Sequence, residues 1–308
     1  MAYFTGTANN PADLLLKIKS HATSIGWITD RSTADEWCCH NADGFWSIKV
    51  ISSSYMRLCG NTGFNNAAAW DNQPGNSIAH AAVTSSTKYA SACRMETGPY
   101  IAYHLFATID YLHCAVEIAS GQFRHLHIGS LDKRGAVYDG GQYVCGTYKH
   151  PSYNGIGDSY LMLPYDSHAF HYYHEASRVR VDAQDGAPSP DWLFFTEHSS
   201  SSISRRAIGL GRGYARNHPS SLLVETSANH LTGGTLLIPC TIYTVGAENR
   251  TRMIGEVPDF RVCRMDYLSP GDTVIVGSET WRVFPPIERT ASDDRGSGMV
   301  GYAYKVVA

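Results

Sequence analysis

Three runs of alternating residues between Tyr100 and Ile128 constrain this chain more than any other stretch. In Tyr111–Ala119, Leu112, Cys114, Val116 and Ile118 fall on one side, and Tyr111, His113, Ala115 and Glu117 on the other. In 123–128, Phe123, His125 and His127 oppose Arg124, Leu126 and Ile128. A period of two is the pattern of half-buried strands. Tyr100–Ala107 precedes them, and the connectors are only Thr108-Ile109-Asp110 and Ser120-Gly121-Gln122. The stretch therefore reads as an antiparallel meander, with histidines on one of its faces.

The flanks are built differently. Asn9 or Asn10 can cap a helix that has Pro11 in its first turn and Asp13 near the positive end of its dipole. Leu14, Leu15, Ile18 and Ala22 form its apolar stripe, and Gly26 stops it. Short strands are expected at 36–39, 45–51 and 55–59, turning at 42–44 and 52–54. Residues 61–99, rich in Asn, Ala, Ser, Gly and Thr, read as a long connection packed down by Phe64 and Trp70. Further strands are expected at 177–183 and 192–197. From 236 onward, short β segments at 236–244, 260–267, 274–276, 280–284 and 299–307 are punctuated by Gly and Pro.

The expected fold is mainly β (α+β): an antiparallel central sheet or sandwich, one N-terminal helix and a small all-β C-terminal module. Its units are 1–90, helix plus short meander; 91–235, central antiparallel domain with long loops; and 236–308, the C-terminal module.

Composition narrows the function classes. With 43% hydrophobic and 17% charged residues, the chain is globular. A formal charge of −3 gives no electrostatic reason to expect nucleic acid as a partner. No apolar run approaches a membrane span, and the N-terminal segment lacks the basic-then-apolar pattern of a secretory signal. The eight cysteines form no CxxC pair and are expected to be reduced and buried.

Several patterns invite a chemical reading. His125-Leu126-His127 places two imidazoles on one strand face, about 7 Å apart along it. With His104 or His113 on neighbouring strands, or with His168, His171 and His174, they have the residue types of a metal site. The alternative is that they pack among tyrosines with their nitrogens hydrogen-bonded, as buried polar groups usually are; this assigns no metal or cofactor and is preferred. His171-Tyr172-Tyr173-His174-Glu175 is not HExxH. Arg205, Arg206, Arg212 and Arg216, around Gly209, Gly211 and Gly213, form a Gly-rich basic loop suited to an anion, yet fit neither the dinucleotide nor the P-loop fingerprint. Asp71, Asp110 and Glu117 are candidate carboxylates for a glycosidase pair, which requires them about 5–10 Å apart. No GxSxG elbow or protease-type cysteine occurs. No catalytic residue is assigned, and the chain is expected not to be an enzyme.

Three stretches resemble virion proteins encoded in the tail modules of tailed bacteriophages. The opening polar lead and helix end in Gly26-Trp27. The centre carries a Phe/His-rich strand, then Gly129, Leu131, Asp132 and Lys133 as a turn, then Gly140-Gly141. The close carries Gly255, Pro258 and Arg261, then Pro270-Gly271-Asp272, then 281–285 (WRVFP), then 301–303 (GYA). The resemblance implies a structural protein of the tail tip or baseplate. It further implies symmetric copies (a homo-oligomer within the virion), other tail proteins as partners, a host surface receptor as a further candidate, and assembly in the host cytoplasm. Some phage spike tips bind iron through His-x-His from three chains, on a terminal β-helix; here the motif is mid-chain in a meander, so no iron is assigned. A glycan-binding or glycan-degrading tail protein and a His-rich metalloprotein are the alternatives.

Overall fold

The computed structural model describes residues 2–77, 91–134, 140–147, 178–181, 191–194, 207–208, 234–245, 251–286 and 300–306. The strands expected at 177–183 and 192–197 are represented by Arg178–Val181 (β12) and Asp191–Phe194 (β13). His168, His171, His174, Arg205, Arg206, Arg212 and Arg216 lie outside the described residues.

The meander forms as its alternation requires. Tyr100–Ala107 (β7), Tyr111–Ala119 (β8) and Gln122–Ser130 (β9) pair antiparallel in sequence. They are the middle of a seven-stranded sheet in the order β1-β7-β8-β9-β11-β12-β13. Ala2–Ala8 (β1) closes one edge against β7, and Gly140–Gly146 (β11) extends the other from β9. The chain's polar lead is thus an edge strand of the central sheet.

Both faces of that sheet are covered. One packs against the helix Pro11–Ser24 (α1) and a five-stranded sheet ordered β2-β3-β4-β5-β6. Those strands are Ile28–Ser32 (β2), Glu36–His40 (β3), Phe45–Ser52 (β4), Tyr55–Asn61 (β5) and Ser91–Arg94 (β6). Asn10 caps α1, its Oδ1 accepting from Asp13 N at 2.9 Å. Beyond Ile25, Gly26 takes φ +105°, with Gly26 N donating to Thr23 O and Trp27 N to Ala22 O. This is a Schellman stop, which favours a glycine at that position. It turns Trp27 into the core beside Trp46, at 5.1 Å between ring centroids. Leu14, Leu15, Ile18, Trp37 and Ile48 meet Leu112, Cys114, Val116, Leu126 and Ile128 there.

The opposite face packs on a C-terminal sheet ordered β14-β15-β16-β19-β18-β17. Its strands are Ala207–Ile208 (β14), Ile238–Val245 (β15), Thr251–Arg264 (β16), Thr273–Val276 (β17), Glu279–Phe284 (β18) and Val300–Val306 (β19). Asp132–Lys133 (β10), expected as a turn, is a short strand that leaves the central sheet to pair with Glu256 and Gly255 on β16. A Cβ on Gly255 would lie 2.6 Å from Asp132 O, so this crossing needs a residue without one.

Gly255 and Pro258, read as breaks, lie inside β16. The register jumps from Thr241↔Glu256 to Pro239↔Arg261, leaving Val257 to Phe260 bulged opposite Cys240. A bulge accommodates a proline, which has no N–H to give the ladder. β1, β2 and β6 were not anticipated either. All three are edge strands and β6 has only four residues, so none carries a long alternating pattern.

Candidate functional site: a sealed histidine and tyrosine cluster

The face of β8 and β9 that carries the histidines is the one against the C-terminal sheet. His113 on β8 sits directly opposite His127 on β9, and Ala115 opposite His125. Their rings are close: His113 to His127 is 4.6 Å and His125 to His127 is 6.4 Å between centroids. All three are completely buried. Gly129, at φ +155°, lies across from both Tyr111 and Tyr143, and a Cβ there would be 2.5 Å from Tyr111 Cβ.

The facing sheet supplies the partners. Tyr302 and Tyr304 come from β19, Phe260 from β16, and Pro285 follows β18. His125 Nε2 lies 2.9 Å from Pro285 O and His125 Nδ1 lies 2.7 Å from Tyr304 Oη. Tyr304 Oη is also 3.3 Å from His127 Nε2, while His113 Nε2 is 2.7 Å from Tyr143 Oη. Phe260 meets His127 edge-on at 5.2 Å, Tyr302 meets His125 edge-on at 5.2 Å, and Tyr304 stacks on Phe106 at 4.9 Å. These offset and edge-on contacts are the favourable geometries for aromatic rings.

Electrostatics follow from the enclosure. Burial pushes His113 and His125 down to about 3 and holds His127 well below its ordinary value, the last also through its two histidine neighbours. The trio is neutral near pH 7. The tyrosine hydroxyls of Tyr111, Tyr143 and Tyr304 are pushed up, chiefly by burial.

At the rim, Tyr111 Oη donates to Asp259 Oδ2 at 2.8 Å. Asp259 is in the β16 bulge at φ +50°, and Lys305 Nζ is 3.5 Å from its Oδ1. Asp132 is raised by burial and then by Asp259 and Glu256. His104 stands apart on β7: its Nδ1 meets Tyr3 Oη at 2.8 Å, and burial, with Arg282, lowers it to about 4.

His125, His127 and His113 come together, but as a hydrogen-bonded core. Among the described residues no group of three or more His, Cys, Asp or Glu has the arrangement to hold a metal ion. Two of the proposed carboxylates do not converge. Asp110 and Glu117 stand at opposite ends of β8, about 23 Å apart at strand rise. Glu117 Oε1 accepts from Gly121 N at 3.0 Å across the hairpin, and Asp71 is exposed in the loop after β5. Tyr143, Asp259 and Phe260 complete the cluster without having been singled out in the sequence, and Pro285 was named there only as the end of the WRVFP segment. Tyr304 had a readable signal, the alternation of Tyr302 and Tyr304 in GYAYK. Comparison with protein-family models and with curated proteins returns no match for this chain.

Proposed function

We propose that the chain is a non-enzymatic structural component of a tailed-bacteriophage virion, in the tail tip or baseplate. It assembles there in symmetric copies against other tail proteins, with a host surface receptor as a further candidate contact. The observation that carries this reading is where the polar chemistry lies and where the apolar surface lies. The histidines and tyrosines are enclosed between two sheets, while β17, the edge of the C-terminal sheet, presents Ile275 at 71% and Val276 at 49% exposure.

An uncharged edge strand with exposed β-branched residues is a template for pairing with another chain. The edge strand β2 is protected in the usual way, with Asp30 bonded to His40 and Arg31 to Glu36. β17, of sequence TVIV, has no such charge.

The residues of the phage resemblance also have defined roles. Gly26-Trp27 ends α1, Pro270-Gly271-Asp272 forms the turn into β17, and Trp281 to Phe284 are the last four residues of β18, with Pro285 following it. Asp272 Oδ2 accepts from Ser269 N at 2.7 Å, and Gly271 N donates to Val283 O at 2.7 Å. The resemblance is thus one of scaffold. All eight cysteines are buried thiols outside any disulfide, which suits assembly in a reducing host cytoplasm.

Electron microscopy of the intact particle at side-chain resolution tests the proposal. The expected result is density for this chain in the tail with β17 covered by a neighbour. A purified chain that stays monomeric and is never found in particles overturns it.

A further inference from the structure

The hydrogen-bond chain through the sealed cluster has only one self-consistent direction. Pro285 O can only accept, so neutral His125 must carry its proton on Nε2, 2.9 Å away. His125 Nδ1 is then a lone pair, and Tyr304 O–H donates to it across 2.7 Å. Tyr304 has no second proton, so at 3.3 Å it accepts from Nε2–H of His127. His127 Nδ1 is therefore a bare acceptor. It is fully enclosed and has no partner among the described residues; His113 Nδ1 is in the same condition. The two rings that carry these nitrogens are 4.6 Å apart. Such atoms in a folded core are ordinarily met by an ordered internal water, which makes two to four hydrogen bonds.

We propose that His113 and His127 form a site for one enclosed water, which donates to His127 Nδ1 and bonds His113 Nδ1. The water completes a polar path running from Pro285 through His125, Tyr304 and His127 to His113 and Tyr143. Through it the central and C-terminal sheets are joined by polar bonds as well as by apolar packing. A transition metal is the less suitable occupant, since it would find two imidazoles and no third ligand among the described residues.

The test uses the full chain at pH 7. Nitrogen-15 histidine spectra should show His125 and His127 protonated on Nε2, with His127 Nδ1 shifted as a hydrogen-bonded acceptor. Oxygen-17 relaxation dispersion should count one long-residence water more in the wild type than in His127→Phe, and the same difference for His113→Phe. A proton on His127 Nδ1, an equal count in wild type and the variants, or a stoichiometric metal in untagged protein each overturns the proposal. The tautomer spectra need no variant, so the idea stays testable if Phe at either position prevents folding.

Discussion

Acidification from pH 7 to pH 5 should destabilise this protein steeply. His113 and His125 titrate near 3 in the fold against an ordinary 6.5. The unfolded chain therefore takes up a proton at each as pH falls through about 6.5, whereas the folded chain does not until about 3. Stability from these groups is complete above the unfolded value and is lost as pH falls from there towards 3.

At about 1.36 kcal/mol per pH unit per group, each imidazole costs about 2 kcal/mol at pH 5, and the pair about 4 kcal/mol. His127 and His104 are also lowered and act in the same direction. Asp110 and Asp132, both raised chiefly by burial, act in the opposite direction as they take up protons on the acid side. Against a total stability of roughly 5–15 kcal/mol, the histidine contribution is large.

Urea unfolding at pH 7, 6 and 5 measures it. His125→Gln serves as the comparison, because its amide can still donate to Pro285 O but does not titrate; its loss over the range should be about 2 kcal/mol smaller than that of wild type. The readout is the pH slope, so a lower absolute stability of the variant does not affect the result. A wild type as stable at pH 5 as at pH 7 would refute the sealed, neutral cluster.

Three further outcomes are expected. Tyr304→Phe removes the hydroxyl shared by His125 and His127 and should cost about 2–4 kcal/mol by urea titration, since it leaves buried nitrogens unpaired. Gly129→Ala places a Cβ 2.5 Å from Tyr111 Cβ and 2.8 Å from Asp110 O, and should cost about 3 kcal/mol in the same assay. Ile275→Lys should leave stability within about 0.5 kcal/mol, because the side chain is exposed, yet reduce incorporation into particles measured by blotting of purified virions.

Much of the scaffold was legible because it is written in short-range patterns. The alternation in Tyr111–Ala119 and Gln122–Ser130 assigns every residue to a face, and those faces are the ones buried against the helix side and against the C-terminal sheet. The helix was equally plain, because Asn10, Pro11 and Gly26 act within a turn of where they stand. Edge strands such as β1 were not legible, since a strand paired on one side needs no strong pattern of its own. β16 hid behind Gly255 and Pro258, which break a regular ladder but suit a bulge.

By itself, the sequence determined that His125 and His127 share a strand face and that Glu117 lies within the strand run that Asp110 precedes. Only the tertiary structure decided what those facts mean. The same two histidines could have lined a surface groove or coordinated a metal, had Tyr304 and Pro285 not met them from residues more than 150 positions away. Local periodicity fixes direction, because a strand repeats every two residues. The partner at the end of that direction is chosen by how the sheets pack, and in this chain the choice was closure.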